Sequence, residues 1–345
     1  MMRKYSEGVW YACATIVGIL IVSTCAQCGE VVIEKVNYRG WRNTYRMSNG
    51  LVELYVLTDV GPRIIDFRPV DGENVFYVRE SEVGTTGEPE WIFRGGWRLW
   101  IAPEKYETTW LPDNSLCSVQ RIGANKLLVI GPPQVAAGIQ KIIEVKLFAN
   151  EPRVRILQRI RNISNRTLRY APWSLSVMRP GGKALIPLDE LDPTALAEIR
   201  PLNIWSYTEM NDPRYYWGAR LIIVDQSKVP PPPAGQKGRR DDESKIGVGT
   251  RQGWVAYWNQ GTLYIKRFPY DPHAIYPDNG CNVEVYSCYE FIECENLGPL
   301  TTFAPGHEIV YPEEWYLFTG VKLGVAEGEV LPVLKRYLAK TKPVR

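Results

Sequence analysis

Short runs in which apolar and polar residues alternate, closed off by Gly, Pro, Asn and Asp, fill most of this chain. Residues 154–160, Val-Arg-Ile-Leu-Gln-Arg-Ile, set arginine against apolar neighbours as a half-buried strand does. Similar runs occur at 31–33, 51–57, 63–67, 126–130, 139–145, 219–224, 253–257, 262–268 and 315–321. Helical periodicity is confined to 193–199 and 329–338. Strands that do not alternate regularly with helices fit a βαβ architecture poorly. The pattern predicts an all-β protein, a large antiparallel β-sandwich with few short helices. It occupies about residues 30–325, with a helical tail at 326–345. The proline- and charge-rich stretch 229–245 reads as a surface insertion, because strand patterning resumes on both sides of it. Residues 212–217, Asp-Pro-Arg-Tyr-Tyr-Trp, have the polar and aromatic character of a cleft rim.

The amino terminus predicts export. Arg3 and Lys4 precede an apolar run from Val9 to Val22, and Thr24-Cys25-Ala26 offers small residues for cleavage after Ala26. The run is shorter than the roughly 20 residues that span a bilayer. Residues 1–26 are therefore expected to be a signal peptide, with a membrane anchor or a lipidated Cys25 as alternatives. The expected location is periplasmic, extracellular or envelope-associated. Five cysteines would remain, Cys28, Cys117, Cys281, Cys288 and Cys294, an odd number that leaves one thiol without an internal partner. With only His273 and His307 to add imidazole and no CxxC in the mature region, no metal site is expected. The residues imply no cofactor.

A net charge of +3 in 345 residues offers nothing for nucleic acid to bind. Aromatic usage changes the picture more, with 12 Trp and 20 Tyr against 8 Phe. Rings with a polar edge suit sugar faces, and they also suit strands. In 289–295, Glu293 and Glu295 leave the same face of an extended strand, roughly 6–7 Å apart by strand rise. Their apolar neighbours imply partial burial, which calls for an offsetting cation or ligand. Arg98, in Gly95-Gly96-Trp97-Arg98-Leu99-Trp100, is the candidate cation. Trp97 and Trp173 are candidates for stacking on a pyranose, whereas Trp100 reads as core. Lys266 reads as a solvated residue.

The motifs at 96–104, 112–114, 171–178, 277–280 and 293–306 together resemble a galactose-mutarotase-like protein, over roughly residues 30–325. The resemblance implies a curved β-sandwich with a sugar site and aldose epimerase-like chemistry. A glutamate would take the proton of the anomeric hydroxyl while a histidine protonates the ring oxygen. The glutamate strand matches Glu293-Cys294-Glu295, followed by Pro305-Gly306. Spacing favours Glu293, and a slip of two selects Glu295. The histidine strand matches 171–175, where Trp173 stands instead and cannot supply that proton. His273 would serve only if its loop folds over the cleft, and Asp278 and Asn279 are expected to approach the site.

The sequence therefore predicts an exported protein that binds a monosaccharide or glycan and acts on it or senses it, its chemistry either aldose 1-epimerase-like, as an isomerase with Glu293 or Glu295 as base, or lost. Two other readings stay open. A glycan lyase or hydrolase would need a second carboxylate across the cleft, with Glu209 and Asp212 as candidates. A non-catalytic envelope module would have its cleft filled by its own side chains.

Overall fold

The computed structural model describes residues 29–344 apart from 191–192, 195, 197–199 and 232–241. The described strands form two antiparallel sheets. In the first the order is Val32–Tyr38, Trp41–Ser48, Val52–Leu57, Arg63–Pro69, Trp97–Ala102, Leu168–Met178, Ile292–Leu297, Val283–Ser287, Ser244–Val248 and Leu202–Ile204. Thr301–Phe303 adds to the same sheet through Leu168–Met178. The second sheet runs Tyr215–Trp217, Leu221–Asp225, Lys183–Pro187, Trp254–Asn259, Thr262–Arg267, Glu308–Phe318, Arg153–Asn162, Ile139–Leu147, Lys126–Gln134 and Ser118–Ile122. This is the two-layer β-sandwich that the alternation predicts.

The core is the apolar face of each sheet pressed against the other. Trp97, Leu99 and Ile101 supply it from one sheet, and Ile143, Val145, Tyr264 and Trp315 from the other. Trp97 and Trp315 meet with ring centroids 5.7 Å apart. The period of two sends the intervening residues, Arg98, Trp100 and Ala102, to the opposite face. Leu168–Met178 does the same: Ser174 and Ser176 bond inward to Trp97 and Tyr264. Trp173 and Leu175 point away with Trp100.

Strand Ile292–Leu297 is held between Leu168–Met178 and Val283–Ser287. Register places Arg63, Arg98, Leu175, Glu295 and Glu284 in one row across five strands. Two residues along the strands, Val177, Glu293, Tyr286 and Lys245 form the next row on that face.

Several expectations are corrected in detail. The segment 229–245 ends inside a strand, because Ser244 and Lys245 pair with Ser287 and Tyr286. Lys266 is fully buried between the sheets, its Nζ donating to Ser174 Oγ at 2.9 Å and to the Ser174 and Cys294 carbonyls. An ammonium can be held there because neighbouring backbone and hydroxyl oxygens accept its protons. The helix expected at 193–199 falls largely outside the described residues. The carboxy-terminal helix is Glu327–Leu338, two residues longer at its start than predicted. It lays Val330 and Leu334 on the outer face of the second sheet, against Leu185, Leu221 and Ile223. Cys117, Cys281, Cys288 and Cys294 are buried and free, and Cys28 lies outside the described residues.

Candidate functional site

On the face of the first sheet turned away from the core lies a cavity of about 430 Å³. Its floor is built from the two rows just described: Arg98 and Glu295 from one, Glu293, Tyr286 and Lys245 from the other. Its walls come from loops and are aromatic. Trp91, Trp110 and Trp205 join Trp100 and Trp173 of the floor, so that five tryptophans border one space. Trp91, Trp100 and Trp110 contact one another at 4.8–5.2 Å between centroids, and Trp100 packs edge-on against Trp173 at 5.4 Å.

The charged groups are paired on this floor. Arg98 Nη2 donates to Glu293 Oε1 at 3.0 Å, and its guanidinium lies 4.5 Å from the Trp100 ring centroid. Arg98 Nε and Nη1 are buried without a partner among the described residues. Lys245 Nζ lies 2.6 Å from Glu284 Oε2 and 3.1 Å from Glu295 Oε2, between the rings of Trp173 and Trp205 at 4.7 and 4.8 Å. The Trp173 indole donates to the same Glu295 oxygen at 2.7 Å. Aromatic faces attract both cations, and the carboxylates offset the cost of burying them.

Electrostatics separates the acids. Burial pushes the Glu293 carboxyl above the usual carboxylate range, and Glu295 adds to this while Arg98 opposes it. Burial likewise lifts Glu284 far above that range, with Glu295 reinforcing the shift against Lys245. Burial acts to lower Lys245, but Glu284 and Glu295 outweigh it and hold the ammonium well above its ordinary value.

Exposure decides between the two glutamates. Glu293 keeps 9% of its side chain open, whereas Glu295 keeps none and borders the cavity from beneath, its Oε2 accepting from both Trp173 and Lys245. A carboxylate that must reach a ligand proton is therefore Glu293.

The remaining sequence candidates are placed as follows. Trp173 and Arg98 are on the floor. Trp97 is not: its ring is fully buried on the core side of its strand, donating to Ser174 Oγ at 2.7 Å, because alternation puts it opposite Arg98. Trp100, expected in the core, borders the cavity instead. His273 is exposed on a turn outside the cavity lining, its backbone N–H donating to Asp271. Asp278 and Asn279 also stand outside the lining, in a turn at φ 48° and 54° that their short side chains tolerate. His307 is exposed, its Nδ1 3.2 Å from the Pro305 carbonyl. Glu209 and Asp212 do not border the cavity, and Asp212 is held by Arg214 at 2.9 Å.

Lys245, Glu284 and Trp205 were not anticipated. The strand signal was present in Ser244-Lys245-Ile246-Gly247-Val248, which alternates, but it continues the charged run before it and is absorbed into that run. Gly247 also serves the site. A Cβ there would lie 3.2 Å from the Trp205 ring and 2.8 Å from Cys281 Sγ, so a side chain at this position would displace Cys281 and crowd Trp205 beside Lys245.

The chain is similar in structure to a galactose mutarotase-like protein from Lactobacillus casei (TM-score 0.53, 8% identity), covering 80% of this chain and 100% of that one. It is similar to a candidate aldose 1-epimerase from Klebsiella pneumoniae, with TM-score 0.53 and 9% identity over 90% of this chain and 87% of the other. A candidate mutarotase from Salmonella typhimurium aligns with TM-score 0.51 and 9% identity over 84% and 94% of the two chains. The sequence matches no protein-family model and no curated protein. The fold is thus that of the galactose-mutarotase-like β-sandwiches, as the sequence motifs imply.

Proposed function

We propose that this protein binds a monosaccharide or the end of a glycan in its tryptophan-lined cavity and interconverts its anomers with Glu293 as the base. The observation that carries this reading is the Glu293 carboxylate, partly open at the cavity floor and steadied by Arg98 at 3.0 Å among indole rings. Tryptophan faces suit the C–H face of a pyranose, and the carboxylates and cations suit its hydroxyls. Burial lifts the pKa of Glu293. That makes its carboxylate a stronger base toward a hydroxyl than an exposed glutamate. Abstraction of the anomeric proton opens the ring, rotation about C1–C2 exchanges the carbonyl faces, and closure delivers either anomer.

The open cavity speaks against a cleft filled by its own side chains. The positions of Glu209 and Asp212 outside the lining remove the opposed acids named for hydrolysis. Action outside the cytoplasm remains part of the proposal, resting on Arg3, Lys4 and the apolar run to Val22. Amino-terminal sequencing of the protein recovered from the cell envelope checks it, and an intact Met1 would count against cleavage.

Saturation-transfer NMR of the wild-type protein with aldoses and uronic acids tests binding, and exchange spectroscopy on the same samples follows the α and β anomers. Binding with accelerated exchange that is lost in Glu293→Gln supports the proposal. Binding without exchange leaves a sugar receptor, and no binding by any sugar in the panel overturns the reading.

A further inference from the structure

The base at Glu293 needs a partner that gives a proton to the ring oxygen, and Trp173 holds the position that the sequence resemblance gives to a histidine. An indole does not titrate in the accessible range, and Trp173 spends its N–H on Glu295. Neither histidine of the chain borders the cavity. The cavity lining does hold Lys245. Its row on the sheet is Glu293, Tyr286, Lys245, so the two residues are two strands apart on one face, roughly 10 Å between backbones. Tyr286 stands between them in the row, and all three line the cavity of about 430 Å³.

An ammonium has three N–H donors. Glu295 accepts one from Lys245 at 3.1 Å, and Glu284 Oε2 forms an ion pair with the same Nζ at 2.6 Å. Trp173 and Trp205 flank the side chain and fix its direction. The third donor is left for an acceptor in the cavity.

We infer that Lys245 is the proton donor to the ring oxygen of a cyclic hemiacetal sugar in this site, the role assigned by resemblance to a histidine that this chain lacks. The inference rests on the sugar-binding reading above. In ring opening Glu293 takes the anomeric O–H proton, the new carbonyl forms at C1, and the C1–O5 bond breaks with its electron pair going to O5. Lys245 delivers its proton to O5, leaving a neutral amine, a protonated Glu293 and the open-chain aldehyde. In closure the O5 hydroxyl attacks C1, returns its proton to Lys245, and Glu293 gives its proton to the new anomeric oxygen. Protons and electrons balance without a further reactant. The carboxylates around Lys245 also keep it charged wherever Glu293 is ionised, so both groups hold their working states at the same pH.

The test compares D-galactose and D-glucose with their carbocyclic analogues, in which CH2 replaces the ring oxygen, by titration and saturation-transfer NMR. Wild type should bind the analogues roughly tenfold or more weakly, the worth of a hydrogen bond from a charged donor. Lys245→Met should bind sugar and analogue alike and slow anomer exchange by about 10²-fold or more. Lys245→Met leaves Glu284 and Glu295 facing each other, so Lys245→Met/Glu284→Gln is measured beside it as a variant with one buried charge fewer. The wild-type comparison needs no variant at all. Equal affinity of wild type for sugar and analogue overturns the role of Lys245 while leaving sugar binding intact. So does exchange in either variant within a few-fold of wild type. Failure of wild type to bind any of the four compounds overturns the sugar reading and this inference together.

Discussion

Glu293 and Glu295 stand two positions apart on one strand, and what separates them is access. Glu295 is closed off by Trp173 and Lys245, while Glu293 meets the cavity beside Arg98. Glu293→Gln keeps an acceptor for Arg98, so it should fold and bind sugar, yet lower anomer exchange by about 10²- to 10⁴-fold. Glu295→Gln should instead be read out in stability, since it removes the anion that balances a buried ammonium. The pH profile follows from the same burial. The base works ionised, and its raised pKa moves the acid limb of kcat/KM above the ordinary glutamate value of about 4.3. Lys245 stays protonated past the ordinary lysine value of about 10.4, so activity should show no alkaline loss below it. Exchange rates corrected for spontaneous mutarotation check both limbs, and an acid limb at or below about 4.3 would contradict the assignment. The acids were visible in the sequence because a doublet two apart must share a face. Their ranking was not, because burial at Glu295 is imposed by residues 50 and 122 positions away in the chain.

Strands supply the next level of explanation. In Trp97–Ala102 the sequence shows two tryptophans three positions apart, and a period of two must place them on opposite faces. The alternation was legible, but which face is the core is settled only by pairing with Leu168–Met178 and by Trp315 from the second sheet. Hence the sequence offers Trp97 for the ligand and Trp100 for the core, and the structure exchanges them. Trp97→Ala should cost about 3–5 kcal/mol in stability by opening a cavity between the sheets, with sugar affinity unchanged in the fraction that folds. Trp100→Ala should weaken sugar binding. Chemical denaturation and titration of the two variants separate these effects, and a ligand defect confined to Trp97→Ala would reverse the assignment of faces. The strands Val283–Ser287 and Ser244–Val248 are hard to read in the sequence for a different reason. Their alternation is present, but each is only five residues long and carries Glu284 or Lys245 on its buried outer face, where a polar residue normally signals solvent.

At the scale of the molecule the second sheet is covered on its inner face and along one strip of its outer face. Its inner face packs on the first sheet, and Leu185, Leu221, Ile223 and Ile265 on its outer face meet Val330 and Leu334 of the helix Glu327–Leu338. Removing residues 326–345 would expose that apolar strip and forfeit the burial of two side chains, about 1.5–3 kcal/mol each. It would also break the contacts of the tail with Arg267 and Tyr316. The melting temperature should fall by on the order of 10 °C. The cavity lies on the far face of the other sheet, with the whole core between it and the helix, so sugar affinity below the new melting point should match the full chain. Leu334→Ala provides a milder version with a loss of about 2–5 kcal/mol, and it should likewise leave binding alone. Thermal unfolding and titration of both proteins make the comparison. A loss of affinity in step with stability would mean that the two sheets transmit strain to one another across the core. The floor of the site would then depend on the outer helix, and the row of charges from Arg63 to Glu284 would be held by the packing of the whole sandwich, not by its own sheet.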